Sequence, residues 1–322
     1  MLVFGCLAAM IGVGGCERAP GGGGGGESKA GETPPKVVAA TFYPTAYFAE
    51  RIASGTPIKV VNPCPPDADP ADWKPSREAI ETYRSAGLII LNGASFEGWV
   101  ASASLPTSRV VDTTAGLKDA LLAYEGVTHS HGSGGQHTHH GTDGHTWVDP
   151  KLAVGQASAI RDAMARAWPE YTTAFDAGLQ ALLADLQSLD TALQEVTVRL
   201  KGTRLMASHP AYGYLAKRYG WAVVNQDLPP DEEPSAGQWA GVSRELSALA
   251  GGVKVMLFEE EPLAGISAKL ASLGVRSIVF DPCEQPSPEG DYIARMRKNI
   301  EGLGSALVEA VTPHTATPGG GA

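Results

Sequence analysis

FDAGLQALLADLQSLDTALQEVTVRL, residues 175–200, reads as one long helix with a single apolar seam. Phe175, Leu179, Leu182, Leu186, Leu189, Leu193, Val196 and Leu200 recur at alternating steps of four and three. That is the stripe a helix buries along one face. No Gly or Pro interrupts the run from Leu179 to Lys201. Begun near Pro169, such a helix spans roughly 45–50 Å at about 1.5 Å per residue. Half of a coiled-coil dimer would show the same seam. Only one such segment exists, however, and it stands between two stretches that share a different rhythm, so an intramolecular spine is expected.

Upstream of the spine, short apolar runs rich in β-branched residues recur at Val37–Thr41, Ile58–Asn62, Leu88–Leu91 and Arg109–Asp112, with helical patterns at Thr45–Ser54 and Ser76–Ala86. Downstream the rhythm returns at Leu205–Ser208, Ala222–Asn225, Val253–Glu259 and Ser277–Phe280, with helix-like segments from Ala211, Ser235 and Leu263. Continuous rather than alternating hydrophobicity suits strands covered on both faces, and alternation with helices suits parallel βα units. The fold class that follows is α/β: two similar four-stranded parallel-sheet lobes joined by a long rigid helix. The expected boundaries are 36–166 for the first lobe, 167–202 for the connector and 203–311 for the second.

The ends of the chain read differently. Leu2 to Val13 is small and apolar, too short to span a bilayer but suited to a signal-peptide core. It leads into Val13-Gly14-Gly15-Cys16, a pattern in which residues 1–15 would be removed and Cys16 lipidated. The usual basic residues before such a core are absent, which points to a start further upstream. Six glycines, Gly21 to Gly26, then form a slack tether within 16–35, and a low-complexity tail closes the chain over 312–322. These features place an extracytoplasmic body, periplasmic or on the cell surface, beside a membrane. A net charge of −10 with no basic cluster argues against nucleic acid as a partner.

Histidine placement carries the chemistry. Of eight histidines, six lie between 129 and 145: His129, His131, His137, His139, His140 and His145. The intervening residues are mostly Gly, Ser, Thr and Gln, which reads as a mobile loop over 128–144 whose first five imidazoles collect metal weakly. A pH-sensitive loop or a solvated insert is the alternative. His145 opens an ordered-looking stretch, His145-Thr146-Trp147-Val148-Asp149-Pro150, just before a helix. His209 follows one buried strand and Asp281 another. In open α/β sheets ligands gather at the carboxyl ends of strands, so facing lobes would bring these three together. A helix cap for Asp281 and a satisfied buried imidazole for His209 are equally compatible with spacing alone.

At this point the sequence resembles the metal-binding lipoproteins of bacterial zinc and manganese ABC importers, the cluster A-I substrate-binding proteins. The resemblance runs from about Val37 to Gly304. It rests on Thr41-Phe42-Tyr43-Pro44, Asn92-Gly93 with Trp99, the histidine-rich loop, the His145–Pro150 run, Ser208–Gly220 and Val279–Pro282. It implies two lobes holding a metal between them, delivery to an ABC permease, a monomer, and His145, His209 and Asp281 as three of four ligands. The fourth position departs from the pattern. Where the family has Asp-Pro-His-x-aromatic-x-Pro, this chain reads Asp69-Pro70-Ala71-Asp72-Trp73-Lys74-Pro75. Cys64, Asp69 and Asp72 are the candidate replacements, with Asp67 nearby. Two imidazoles and a carboxylate favour Zn2+ over Mn2+.

Cys64 and Cys283 are the cysteines left once Cys6 and Cys16 are assigned to the leader and the lipid. Three readings stay open for them. A disulfide between the lobes, put first, would be worth up to roughly 5 kcal/mol in the chain-entropy model. Thiolate ligation and two unpaired buried thiols are the others. An enzyme is not expected: a zinc hydrolase would need a base such as Glu259, Glu260 or Glu261, and no zincin helix motif accompanies them. A family member whose metal site has decayed into a scaffold is the remaining alternative, motivated by Ala71.

Overall fold

The computed structural model describes residues 34–130, 136–201, 203–248 and 254–311. The expectations for the leader, Cys16, the glycine tether, His131 and the tail fall outside the described residues. The first lobe contains β1 (Val37–Ala40), α1 (Tyr43–Ala53), β2 (Lys59–Val61), α2 (Arg77–Ser85), β3 (Leu88–Leu91) and β4 (Val110–Asp112). A hairpin of β5 (Ala123–Ser130) and β6 (Gln136–Thr142) follows, then α3 (Pro150–Ala167) and the long α4 (Thr172–Arg199). The second lobe runs β7 (Arg204–Ala207), α5 (Gly213–Tyr219), β8 (Val223–Asn225), α6 (Ala236–Ala248), β9 (Lys254–Phe258), α7 (Ala264–Ser272), β10 (Val275–Val279) and α8 (Tyr292–Val311).

Both main sheets have four strands, all parallel, in the orders β2-β1-β3-β4 and β10-β9-β7-β8. Numbered within each lobe, the two orders are the same, so the lobes are topological repeats. In both, the chain reverses its direction of travel between the first and third strands, and that switch point opens a crevice at the strand carboxyl ends.

The continuous hydrophobicity of the strands has a direct cause. Val38, Ala40, Leu88 and Ile90 face one cluster, while Ala39, Ile89 and Leu91 face another with Tyr83 and Ala86. In the second lobe Leu205, Ala207, Val255 and Leu257 face the first cluster, and Met206, Met256 and Phe258 a third. Each sheet is therefore buried on both sides. One of its sides belongs to a core shared between the lobes.

Helix α4 is the spine of that shared core. Every seam residue from Phe175 to Leu200 is buried in it. The helix has 28 residues, about 42 Å at 1.5 Å per residue, because Pro169–Tyr171 forms a separate 3-10 turn ahead of it. A Cβ on Gly178 would stand 2.6 Å from the Arg51 carbonyl oxygen, so glycine is what lets the end of α1 rest on the spine. Asp190 interrupts the apolar seam, and both lobes meet it: Lys151 Nζ at 2.9 Å and the Tyr219 hydroxyl, donating at 2.9 Å. Arg218 pairs with Asp149 across the same seam. Prying the lobes apart would expose the common core and break these pairs, so the body from Pro34 onward is one compact unit with restricted hinge freedom.

Candidate metal centre

His209 is set by the second lobe's switch point. It follows β7, whose neighbour β9 ends one residue before Glu259. Ser208 N–H donates to Leu257 O at 2.9 Å, and Ala211 N–H donates to His209 O at 2.9 Å, which turns the chain out of the strand. His209 Nδ1 lies 3.5 Å from Glu259 Oε1, and the imidazole is 4% exposed. Burial, then the neighbouring charge of Glu284, pushes the Glu259 carboxyl up to about 8; the His145 charge opposes this and Asp69 adds to it.

His145 comes from the first lobe. Its segment is anchored by Asn92 at the end of β3, whose side chain donates to Gly144 O at 2.8 Å and accepts from Thr146 Oγ1 at 3.2 Å. Gly144 must be glycine, since a Cβ there would meet the Phe96 ring at 2.7 Å. Asp143 Oδ1 accepts from both His145 N at 2.9 Å and His145 Nδ1 at 2.8 Å. A carboxylate behind Nδ1 fixes the tautomer and aims Nε2 outward, the arrangement that supports metal-ligating histidines. Nε2 in turn lies 3.4 Å from Glu284 Oε1. Burial alone would lower the His145 pKa, but Asp143 and then Glu284 outweigh it and raise the imidazole to about 10. The His145 and His209 ring centroids are 5.5 Å apart.

The turn after β10 carries Asp281 and also brings Glu284, a residue not singled out in the sequence, to His145. Asp281 was expected as a ligand, but its Oδ2 is taken up by Arg295, with Nε at 2.7 Å and Nη2 closer still. Its Oδ1 accepts from Cys283 N at 2.7 Å. Asn299 bonds both its backbone N–H and its carbonyl. Asp281 thus braces the turn through Arg295 and Asn299 on α8, a helix not read from the sequence, while it also lines the cleft. The rest of the turn is equally pinned. Trp147 Nε1 donates to Pro282 O at 2.7 Å, Arg295 Nη1 to Gln285 O at 2.5 Å, and Cys283 adopts φ 64°. This rigid, αL-kinked turn presents Glu284 to His145. The available sequence signal was its place three residues after Asp281, within the same strand-end turn.

A cleft of roughly 910 Å³ has walls that include His209, Glu259, Glu284, Asp69 and Asp281, and His145 adjoins it through Glu284. Among the proposed replacements for the missing histidine, Asp69 lines the cleft, whereas Asp72 is exposed and is not on its wall. Cys64 and Cys283 are both buried and free, so the interlobe disulfide is not formed. Each thiol turns instead to a local carbonyl, Pro65 O for Cys64 and Asp281 O for Cys283. Burial pushes the Cys64 thiol up to about 11 and Cys283 well above its usual value, which works against thiolate ligation. Among the described residues, no three His, Cys, Asp or Glu side chains already stand close enough together to hold an ion. The donors surround the cleft as an open set.

The histidine-rich segment is a hairpin rather than a loop: β5 and β6 pair antiparallel, with His129 opposite His137 and Val127 opposite His139. Thr and Val between the histidines favour the extended pairing. Its base closes through Asp143 N donating to Leu122 O at 2.7 Å. Asp143, counted with the loop in the sequence, belongs to the His145 support.

A family model described as zinc-uptake complex component A, periplasmic, matches residues 38–306. The high-affinity zinc uptake system protein ZnuA of Bacillus subtilis is 30% identical over 291 residues, 84% of this chain and 87% of the relative. The zinc-binding lipoprotein AdcA of Streptococcus pneumoniae is 29% identical over 279 residues, 83% of this chain and 54% of AdcA. The chain therefore spans about half the length of the streptococcal relatives it matches. Among solved structures, the metal-dependent lipoprotein YcdH from Bacillus subtilis superposes with a TM-score of 0.71 at 27% identity, covering 84% of this chain and 98% of that one. Zn(II)-bound AdcA from Streptococcus pneumoniae gives 0.71 at 27% identity, covering 84% and 57%.

Proposed function

The chain belongs to the zinc-uptake complex component A family, and from that premise we propose that it captures zinc outside the cytoplasm and passes it to an ABC importer. The separation of His145 Nε2 and Glu284 Oε1, 3.4 Å, carries this reading. Two donors sharing a tetrahedral zinc at about 2.0 Å each lie about 3.3 Å apart, so the pair already has the edge length of such a site. His145 binds through Nε2 with Asp143 behind it. His209, with Glu259 beside Nδ1, binds through Nε2, and Glu284 adds an oxygen. Imidazole nitrogen favours zinc over manganese. The partners are an ABC permease and, through Cys16, the membrane surface; the body works as a monomer. It acts as a carrier rather than an enzyme, a reading supported by imidazoles from both lobes at the cleft and by Glu259 lying beside His209.

Zinc titration of the metal-stripped protein, with manganese as competitor, tests this. One tight equivalent that resists manganese is expected, with weaker equivalents from the hairpin histidines. No tight equivalent would mean that the departure at Ala71 marks a site that no longer functions. Replacing 125–141 by a short turn between Tyr124 and Thr142 should remove the weak equivalents and leave the tight one within about threefold, since Asp143 is retained. Loss of the tight site in that variant would put a hairpin histidine in the centre and refute the division of labour.

A further inference from the structure

We propose that Asp69 supplies the metal ligand that Ala71 lacks, completing a set of two imidazoles and two carboxylates. The inference rests on the zinc-capture reading and names the first lobe's own contribution to the site. Ala71, at the family's histidine position, has only a methyl, which packs against the shared core. Two residues earlier, Asp69 lies on the cleft wall with His209, Glu259 and Glu284.

Three observations bring Asp69 to the ion. The first is a tether: Gln285 Nε2 donates to Ala68 O. The residue after Glu284 thus holds the residue before Asp69, so the turn that bears one carboxylate is tied to the loop that bears the other. The second is orientation, since Asp69 Oδ1 accepts from Ala71 N at 2.8 Å and the backbone of the substituted position steers the carboxylate. The third is Ser208. Its hydroxyl lies on the same cleft wall, 4% exposed, with no hydrogen-bond partner among the described residues. A buried hydroxyl in that condition costs free energy unless an acceptor arrives. A metal-bound carboxylate oxygen or water is such an acceptor.

Two carboxylates make a harder site than one that keeps the third imidazole, so selectivity for zinc over manganese should be narrower. The test compares wild type, Asp69→Asn, Asp69→Glu and Asp69→Asn/Ala71→His, titrated with zinc, manganese and cobalt. Asp69→Asn should weaken zinc at least 100-fold and change the position and intensity of the cobalt d–d bands. The added histidine should restore zinc affinity and widen the zinc-to-manganese ratio beyond wild type. Melting of the metal-free proteins controls for folding, and Asp69→Glu keeps a carboxylate if asparagine destabilises the loop. Wild-type zinc affinity and an unchanged cobalt spectrum in Asp69→Asn would overturn the assignment while leaving zinc capture intact. Absence of tight zinc binding in the wild type would instead overturn the function on which it rests.

Discussion

His209→Ala should lose the tight zinc site, with affinity falling by two to three orders of magnitude and the protein still folded. Structural zinc binding in small four-ligand sites is worth roughly 10–16 kcal/mol, so one ligand carries about 3–4 kcal/mol, or about 100–1,000-fold. His209 is the cleaner choice than His145. Removing His145 strands Asp143, which is 2% exposed and bonds both the backbone and the ring of that residue. The alanine would then leave a buried carboxylate without its ring partner, and a folding defect would mix with the binding defect. At His209 the ring neighbour is Glu259, which is raised to about 8 and stays protonated when the imidazole is removed. Glu259→Gln keeps the shape but cannot ionise when the metal binds, so it should cost about 10–100-fold, the range for carboxylates behind metal-bound imidazoles. Competition with a zinc chelator measures both variants. Equal affinity of His209→Ala and wild type would exclude the cleft as the capture site.

The long elements were legible because burial on both faces, or along one stripe, writes itself into composition. The seam from Phe175 to Leu200 and the runs at Leu88–Leu91 and Lys254–Phe258 are apolar because the shared core lies against one side and a lobe core against the other. Helix α8 carries a similar stripe, Ile293, Met296, Ile300, Leu303 and Leu307, buried in the shared core. Arg295 and Asn299 on the same helix bond Asp281, a contact that lies outside the reach of strand-end spacing. For Glu284 the local sequence offered only its place in the strand-end turn after Asp281. Its role depends on a turn held by Trp147 from the first lobe and Arg295 from α8, contacts separated by many residues. Asp143 was hidden among histidines that drew attention to the hairpin. Patterning, then, carried the scaffold, and the resemblance supplied His145 and His209 as candidates, whereas the surroundings of Glu284 and Asp281 depend on side-chain contacts that no periodicity encodes.

Zinc affinity should rise steeply with pH, and binding should release protons. In the metal-free protein His145 is raised from 6.5 to about 10 because Asp143 and Glu284 outweigh its burial, so at pH 7 its Nε2 carries a proton facing Glu284. Zinc needs that lone pair, hence each ion must displace one proton from His145. Glu259, raised to about 8 by burial and the charges around it, is also largely protonated at pH 7, and a nearby cation favours its ionised form. Between one and two protons should therefore leave per zinc. Affinity should fall at least tenfold per pH unit, about 100-fold or more from pH 8 to pH 6. The folding linkage has a definite sign. Both groups are raised, so the stability each gives the metal-free protein is full below its unfolded value and is lost as pH rises, through about 8 for Glu259 and about 10 for His145. Metal-free protein should thus become less stable from pH 6 to pH 9, while the thermal shift produced by zinc grows over the same window. Calorimetric titration at pH 7 in two buffers of different ionisation heat counts the protons directly, and melting with and without zinc at pH 6 and 8 checks the linkage. A buffer-independent heat with a pH-independent affinity would mean that His145 does not give up its proton to the ion and is not a ligand. A release of one to two protons, smaller by about one in a His145→Asn variant that still folds, would show that the proton held between His145 and Glu284 occupies the place the metal takes.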